Sequence, residues 1–344
     1  MITAAPKNDL ISFQQGVNPM KIRSVRFPNS AFALALVVLF GSLPAAAPAH
    51  AQDFPTKPLR LIIPYPAGGA SDLTARAVVS VADEYLGQPM IVVIRSGGGG
   101  AVGAEAAAKS KPDGYTLFMA DPANLIILPQ VQKIAYNPAD FIPVGQVVSL
   151  PALLTVQTGT PWKTARDFID AARKEPGKLK HSAVTFSPEH LMFEALAAKY
   201  GVKFTHIPST GGGPALASLL GGHVDANGLY PPVAFPHIQG GKLRALGVAA
   251  SKRWPLLPDV PTLAEQGFDV DARLWLAVVA LKGTPEPVLG KLRDAVRKIS
   301  DDTSFKAMMG RMGQQVDYLS ADDLAKQWTA DQSRIKAIIS TIAK

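Results

Sequence analysis

Three glycine-rich stretches, each set between an apolar run and a helical pattern, limit most sharply what this chain can fold into. They are "PAGGASD" (66–72), "SGGGGAVG" (96–103) and "STGGGPA" (209–215). The runs before them, "LRLIIPY", "MIVVIR" and "KFTHI", read as strands. A strand, a short glycine turn and a helix, repeated with brief links, is the order of a parallel sheet with right-handed crossovers.

The alternation continues along the chain. "YTLFMA", "ALLTVQ", "KHSAVT", "VDANGLY", "LRALGVAA" and "RLWLAVVALKG" read as further strands, with a less regular stretch around "ILPQVQKIAYNPADFIPVG". Asp72, Thr164, Ser187 and Ser320 stand where helix caps belong, and Gly87 and Gly201 where helices stop. The expected architecture is α/β, with two Rossmann-like domains joined by two crossover segments. Residues 52–152 with 271–344 form the first domain and 153–270 the second.

The first 51 residues are expected to be an export signal. Basic residues lie in "MKIRSVRF", an apolar run of 13 residues follows (Ala31–Leu43), and Ala49-His50-Ala51 is a small-x-small cleavage site. A membrane-spanning helix needs about 20 apolar residues, so the run is too short for one. Cleavage after Ala51 into the periplasm removes Lys7, Lys21, Arg23, Arg26 and Asp9 and leaves a net charge of +5. Without a Lys/Arg run, this mild charge argues against nucleic acid. Cysteine is absent, which excludes disulfides, thiolate metal ligands and thiol catalysis.

Gly98-x-Gly100-x-x-Gly103 has the spacing of a dinucleotide fingerprint. Four consecutive glycines meet many spacings, however, and the motif follows the second strand instead of the first. We read it as glycine-rich packing of a helix close to the sheet. "GASDL" lacks the second glycine of a nucleophile elbow. The histidines, at 50, 181, 190, 206, 223 and 237, form no metal-binding spacing. The sequence therefore calls for no catalytic residue, metal or cofactor.

What remains is a ligand site at the carboxyl ends of the strands, where open α/β sheets bind. Helix N-termini present unpaired N–H groups and partial positive charge, so they hold an anion without Lys or Arg. Ser71, Asn124, Thr185, Ser187, Ser209, Thr210 and Asn227 offer directional bonds near those ends. Tyr65, Tyr230 and Trp275 are candidates to cover a planar or apolar ligand body.

"FPTKPLRLIIPYPAGGASDLTAR", "LGQPMIVVIRSGGGGAVGAEAAAKSKPDGYTL", "PALASLLGGHVD", "GGKLRALGVAASKRWPLLPDVPTLAEQG" and "LKGTPEPVLGKL" together resemble the Bug-type receptors, the extracytoplasmic receptors of tripartite tricarboxylate transporters. The resemblance spans the chain after the export signal. It implies a type II-like periplasmic binding protein whose two lobes close on a small carboxylate. It also implies that backbone groups at Pro66, Ala67, Gly68, Gly69, Ser71 and Asp72 and at Thr210, Gly211, Gly212 and Gly213 hold one carboxylate. Two positions depart from the family pattern. Asp121 stands where a small Ser or Thr is common, and Phe186 lies in a segment that is usually glycine-rich. An aromatic or dicarboxylic acid is the expected ligand, a membrane transporter the expected partner and a monomer the expected state. The alternatives from other classes are a secreted α/β enzyme acting on a small carboxylated compound and a ligand-sensing partner.

Overall fold

The computed structural model describes residues 54–342; the expected export signal and its cleavage point lie outside them. Strand β1 (Leu59–Ile63) buries Leu59, Leu61 and Ile63 completely. Each such side chain contributes roughly 1.5–3 kcal/mol by leaving water. Helix α1 (Ala70–Leu86) returns the chain to β2 (Met90–Ile94), and α2 (Ala101–Ala108) leads to β3 (Thr116–Ala120). β1 pairs in parallel with both β2 and β3, as the glycine-loop pattern requires.

A π-turn (Ala123–Ile127) and the short helix α3 (Leu128–Val131) precede β4 (Phe141–Gln157), a strand of 17 residues. The sequence reading recognises only its last third, "ALLTVQ". Pro143, Gly145 and Pro151 look like breakers there. The strand absorbs them as register shifts between Pro143 and Gly145 and between Gln146 and Val148.

The second lobe follows in chain order: α4 (Ala165–Lys174), β5 (Lys180–Val184), α5 (Pro188–Tyr200), β6 (Thr205–Ser209), α6 (Gly212–Leu220), β7 (Ala226–Leu229), α7 (Pro231–Gln239) and β8 (Leu243–Ala249). Strand β9 (Arg273–Leu281) returns to the first lobe, covered by α8 (Glu286–Asp301), α9 (Thr303–Arg311) and α10 (Ala321–Ile342). The strand order is β2-β1-β3-β9-β4-β7-β5-β6, with β8 also paired to β4. β9 runs antiparallel between β3 and β4, so the sheet is mixed where the two lobes meet. Helix α7 is absent from the sequence reading because "PPVAFPHIQ" opens with two prolines and carries Pro236 inside it.

Caps explain several boundaries. Thr164 accepts from the Asp167 N–H in a reciprocal capping box, and Ser187 accepts from the His190 N–H. Gly87 and Gly201 end their helices in the left-handed region. Asp72 needs correction: the N-cap of α1 is Gly69, and Asp72 lies three positions into the helix. From there its Oδ2 reaches back to accept the Gly68 N–H at 2.9 Å, which ties the loop to the helix start.

Candidate functional site

The loops that open α1 and α6 touch across the interface of the two lobes. A β-carbon on Gly213 would stand 2.9 Å from the Ala67 carbonyl oxygen, and one on Gly211 would stand 2.9 Å from Pro66 Cδ. Side chains at these positions would hold the loops apart. Contact at this distance is possible because the glycines present bare backbone. Both helices therefore begin at one place, and their first-turn N–H groups lack partners within the helix. Pro214 occupies the third position of α6 and has no N–H to leave unpaired.

Beside this contact lies a cavity with about 40 Å³ of open space. A single water centre needs roughly 10–15 Å³, so the space holds only a few water centres. The first lobe contributes Tyr65, Gly69, Ala70, Ser71, Asp121 and Leu274 to its walls. The second contributes Ser182, Ala183 and Val184 at the end of β5, Ser187, Pro188 and Glu189 at the start of α5, and Gly211, Gly212 and Ala215. Gly228, Leu229, Tyr230 and Val233 complete it. The lining holds two carboxyl groups, two phenols and three serine hydroxyls, and no Lys, Arg or His.

Asp121 is fully buried, and its Oδ1 accepts the Asn124 N–H at 3.1 Å. Burial pushes its carboxyl up to about 7, and the neighbouring Glu189 charge adds to the rise. Burial also raises Glu189, whose Oε2 accepts the Tyr230 hydroxyl at 2.6 Å. The Tyr230 and Tyr65 phenols are pushed well above their ordinary value, first by burial. Tyr65 donates over 3.4 Å to the Gly99 carbonyl and lies beside Asp121, whose charge further disfavours phenolate.

Of the residues singled out in the sequence, Tyr65, Gly69, Ser71, Asp121, Ser187, Gly211, Gly212 and Tyr230 line the cavity. The others stand apart from it for identifiable reasons. Pro66 and Ala67 abut the second glycine loop, and the Gly68 N–H is taken by Asp72. Asp72 itself is paired with Arg76 at 2.8 Å. Asn124 orders the backbone at Asp121, accepting its N–H at 3.2 Å. Ser209 closes a turn onto the Gly211 carbonyl, and Thr210 is exposed. Asn227 bridges strand and helix in the core, accepting from Ser182 N–H and donating to the Ala215 carbonyl, both at 2.7 Å.

Thr185 turns its carbonyl towards Gly99. Phe186 adopts φ 63°, the left-handed conformation that glycine takes without strain. Its N–H donates to His190 Nδ1, and its ring packs on an apolar cluster outside the cavity. Phe186 is thus not among the residues that line the cavity. Trp275 is buried in that same cluster and donates from Nε1 to Asp331 Oδ2 at 2.9 Å.

The sequence reading passed over Glu189. An acid in the first turn of a helix ordinarily serves the helix dipole, and only the fold brings it opposite Asp121. Ser182, Ala183 and Val184 were likewise read simply as strand. Their signal was position, at the carboxyl end of β5, more than residue type. The fingerprint glycines have a packing role: a β-carbon on Gly103 would lie 2.7 Å from Pro64 Cα and 2.8 Å from the Arg95 carbonyl oxygen. Among the described residues no acid or histidine cluster is arranged for a metal, and no helix is long and apolar enough to cross a membrane.

Comparison with known proteins places this geometry among relatives. The family described as "Tripartite tricarboxylate transporter family receptor" matches residues 74–343. Protein BugT of Bordetella pertussis (strain Tohama I) is 32% identical over 314 residues, covering 88% of this chain and 95% of the relative. A protein of R. palustris solved with adipate is 30% identical, with a TM-score of 0.80 over 84% of this chain and 98% of that one. MatC from Rhodopseudomonas palustris, with bound malate, is 29% identical, with a TM-score of 0.78 over 83% of this chain and all (100%) of that one.

Proposed function

Because the chain belongs to the tripartite tricarboxylate transporter receptor family, we propose that it is a periplasmic receptor that closes its two lobes on a small carboxylate and delivers it to a membrane transporter of the tripartite type. The observation that carries this reading is the meeting of two helix N-termini at Gly69 and Gly212, beside a cavity with no basic side chain. A carboxylate there takes its hydrogen bonds from backbone N–H groups of both lobes at once. A ligand that bridges the lobes favours the closed state by its differential affinity for it. The adipate and malate found in two relatives are small acids of this kind. Export by cleavage after Ala51 and action as a receptor without turnover belong to the same reading.

The test is calorimetric titration of the ligand-free protein with mono- and dicarboxylates, malate and adipate included, followed by recovery of the bound compound. Saturable binding of a carboxylate recovered unchanged is the expected result. Failure of every carboxylate to bind, or recovery of a converted product, would overturn the reading.

A further inference from the structure

The cleft brings two carboxyl groups together with no basic side chain. Asp121 comes from the end of β3 in one lobe and Glu189 from the start of α5 in the other, and both line the same small cavity. Tyr230 spends its hydroxyl hydrogen on Glu189 Oε2, and Tyr65 directs its own to the Gly99 carbonyl. Asp121 Oδ2 is completely buried and has no hydrogen-bond partner of normal geometry. The Tyr65 hydroxyl lies within reach of Asp121 as well as of the Gly99 carbonyl, so one hydrogen serves two acceptors. A buried carboxylate oxygen left in this state marks a place where a donor is missing.

A ligand bearing only carboxylates does not supply that donor. Its first carboxylate is matched by the helix N-termini at Gly69 and Gly212. A second would bring more acceptors and more negative charge against Asp121 and Glu189, with no cation in the lining to offset them. An ammonium group does the reverse: it carries three N–H donors and a positive charge.

Building on the carboxylate reading above, we propose that the ligand is an aminocarboxylate, with its carboxylate at the helix N-termini and its protonated nitrogen between Asp121 of one lobe and Glu189 of the other. The nitrogen then ties the lobes together through two side chains, as the carboxylate does through two backbones. Closure thereby becomes conditional on both ends of the ligand. Selectivity against nitrogen-free acids follows from the positive charge they lack between two carboxyl groups.

Matched pairs separate this inference from the reading beneath it. Calorimetry at pH 7.5 compares malate with aspartate and adipate with 2-aminoadipate, on the wild-type protein and on Asp121→Asn and Glu189→Gln. In at least one pair the amino member is expected to bind wild type about tenfold or more tighter than its nitrogen-free partner, the scale of a buried charge pair. Asp121→Asn keeps an oxygen for the Asn124 N–H and is expected to abolish or reverse that preference, with melting curves confirming the fold. If the nitrogen-free acids bind wild type as well as their amino partners, the aminocarboxylate inference is overturned and the carboxylate receptor stands. If no carboxylate binds, with or without nitrogen, both fall.

Discussion

Gly69 and Gly212 meet backbone to backbone across the cleft: a β-carbon on Gly69 would lie 3.5 Å from the Gly212 nitrogen, and one on Gly212 3.5 Å from Gly69 Cα. The two residues belong to different lobes, Gly69 as the N-cap of α1 and Gly212 as the first residue of α6. Their contact joins two anion-binding helix ends into one site.

The contact makes closure sensitive to single carbon atoms. Gly69 has φ −86°, so a side chain there is compatible with its backbone and disturbs chiefly the opposite loop. Gly69→Val and Gly213→Ala should each weaken ligand binding about tenfold or more, as overpacking of a close contact does. Melting temperatures of the ligand-free variants should stay near that of wild type. Calorimetry beside thermal melts checks both halves. Unchanged affinity would remove the loop contact from the binding step.

The Tyr230–Glu189 bond should show in stability. Tyr230→Phe removes the donor of the 2.6 Å bond and leaves a buried-side acceptor without it. The expected loss is about 1–3 kcal/mol, read from urea denaturation of the ligand-free protein. A loss no larger than that of an exposed Tyr→Phe control would show that the bond contributes nothing to the ground state.

Asp121 should impose a pH dependence of definite sign. Its carboxyl is raised from the ordinary 3.8 to about 7, so the folded chain holds this proton more tightly than the unfolded one. Its contribution to stability is fully present below about pH 4 and is lost as the pH rises through about 7. Glu189 is shifted in the same direction. Asp121→Asn should therefore flatten the fall in melting temperature over that window and leave the variant more stable at pH 8, by an amount on the order of a few kcal/mol. Melting curves of ligand-free wild type and variant from pH 4 to pH 8 give the comparison, and parallel profiles would contradict it.

Gly103 tests the packing role of the fingerprint glycines. Gly103→Ala places a carbon against Pro64 Cα and the Arg95 carbonyl, both backbone atoms with little freedom to retreat. We expect about 1–3 kcal/mol of destabilisation with ligand affinity unchanged. Denaturation and calorimetry together decide it. Loss of binding without loss of stability would instead mark the loop as part of the site.

Much of the fold could be read from local chemistry. The strand-loop-helix order, the caps at Thr164 and Ser187 and the left-handed ends at Gly87 and Gly201 depend on a few neighbouring residues, and these were visible. The first two thirds of β4 were not, because two prolines and a glycine mimic a loop and only pairing with β9 makes them strand. Within the site, Gly69, Gly211 and Gly212 could be picked out by type. Glu189 could not, since nothing near it in sequence announces Asp121 across the cleft. Asn227 and Trp275 carry groups that suit a ligand equally well, but the fold directs those groups to Ser182, Ala215 and Asp331.

Strand β4 changes partners two thirds of the way along, pairing with β9 up to Pro151, with β8 from Ala152 and with β7 from Leu153. There the Ala152 N–H donates to the Ala272 carbonyl at 2.9 Å, and the Ala272 N–H donates to the Ala249 carbonyl at 3.0 Å. The outgoing and returning chains are thus stitched together where they cross. Such a joint behaves as a leaf spring more than as a door hinge. A change in the angle between the lobes would have to twist this bonded ladder.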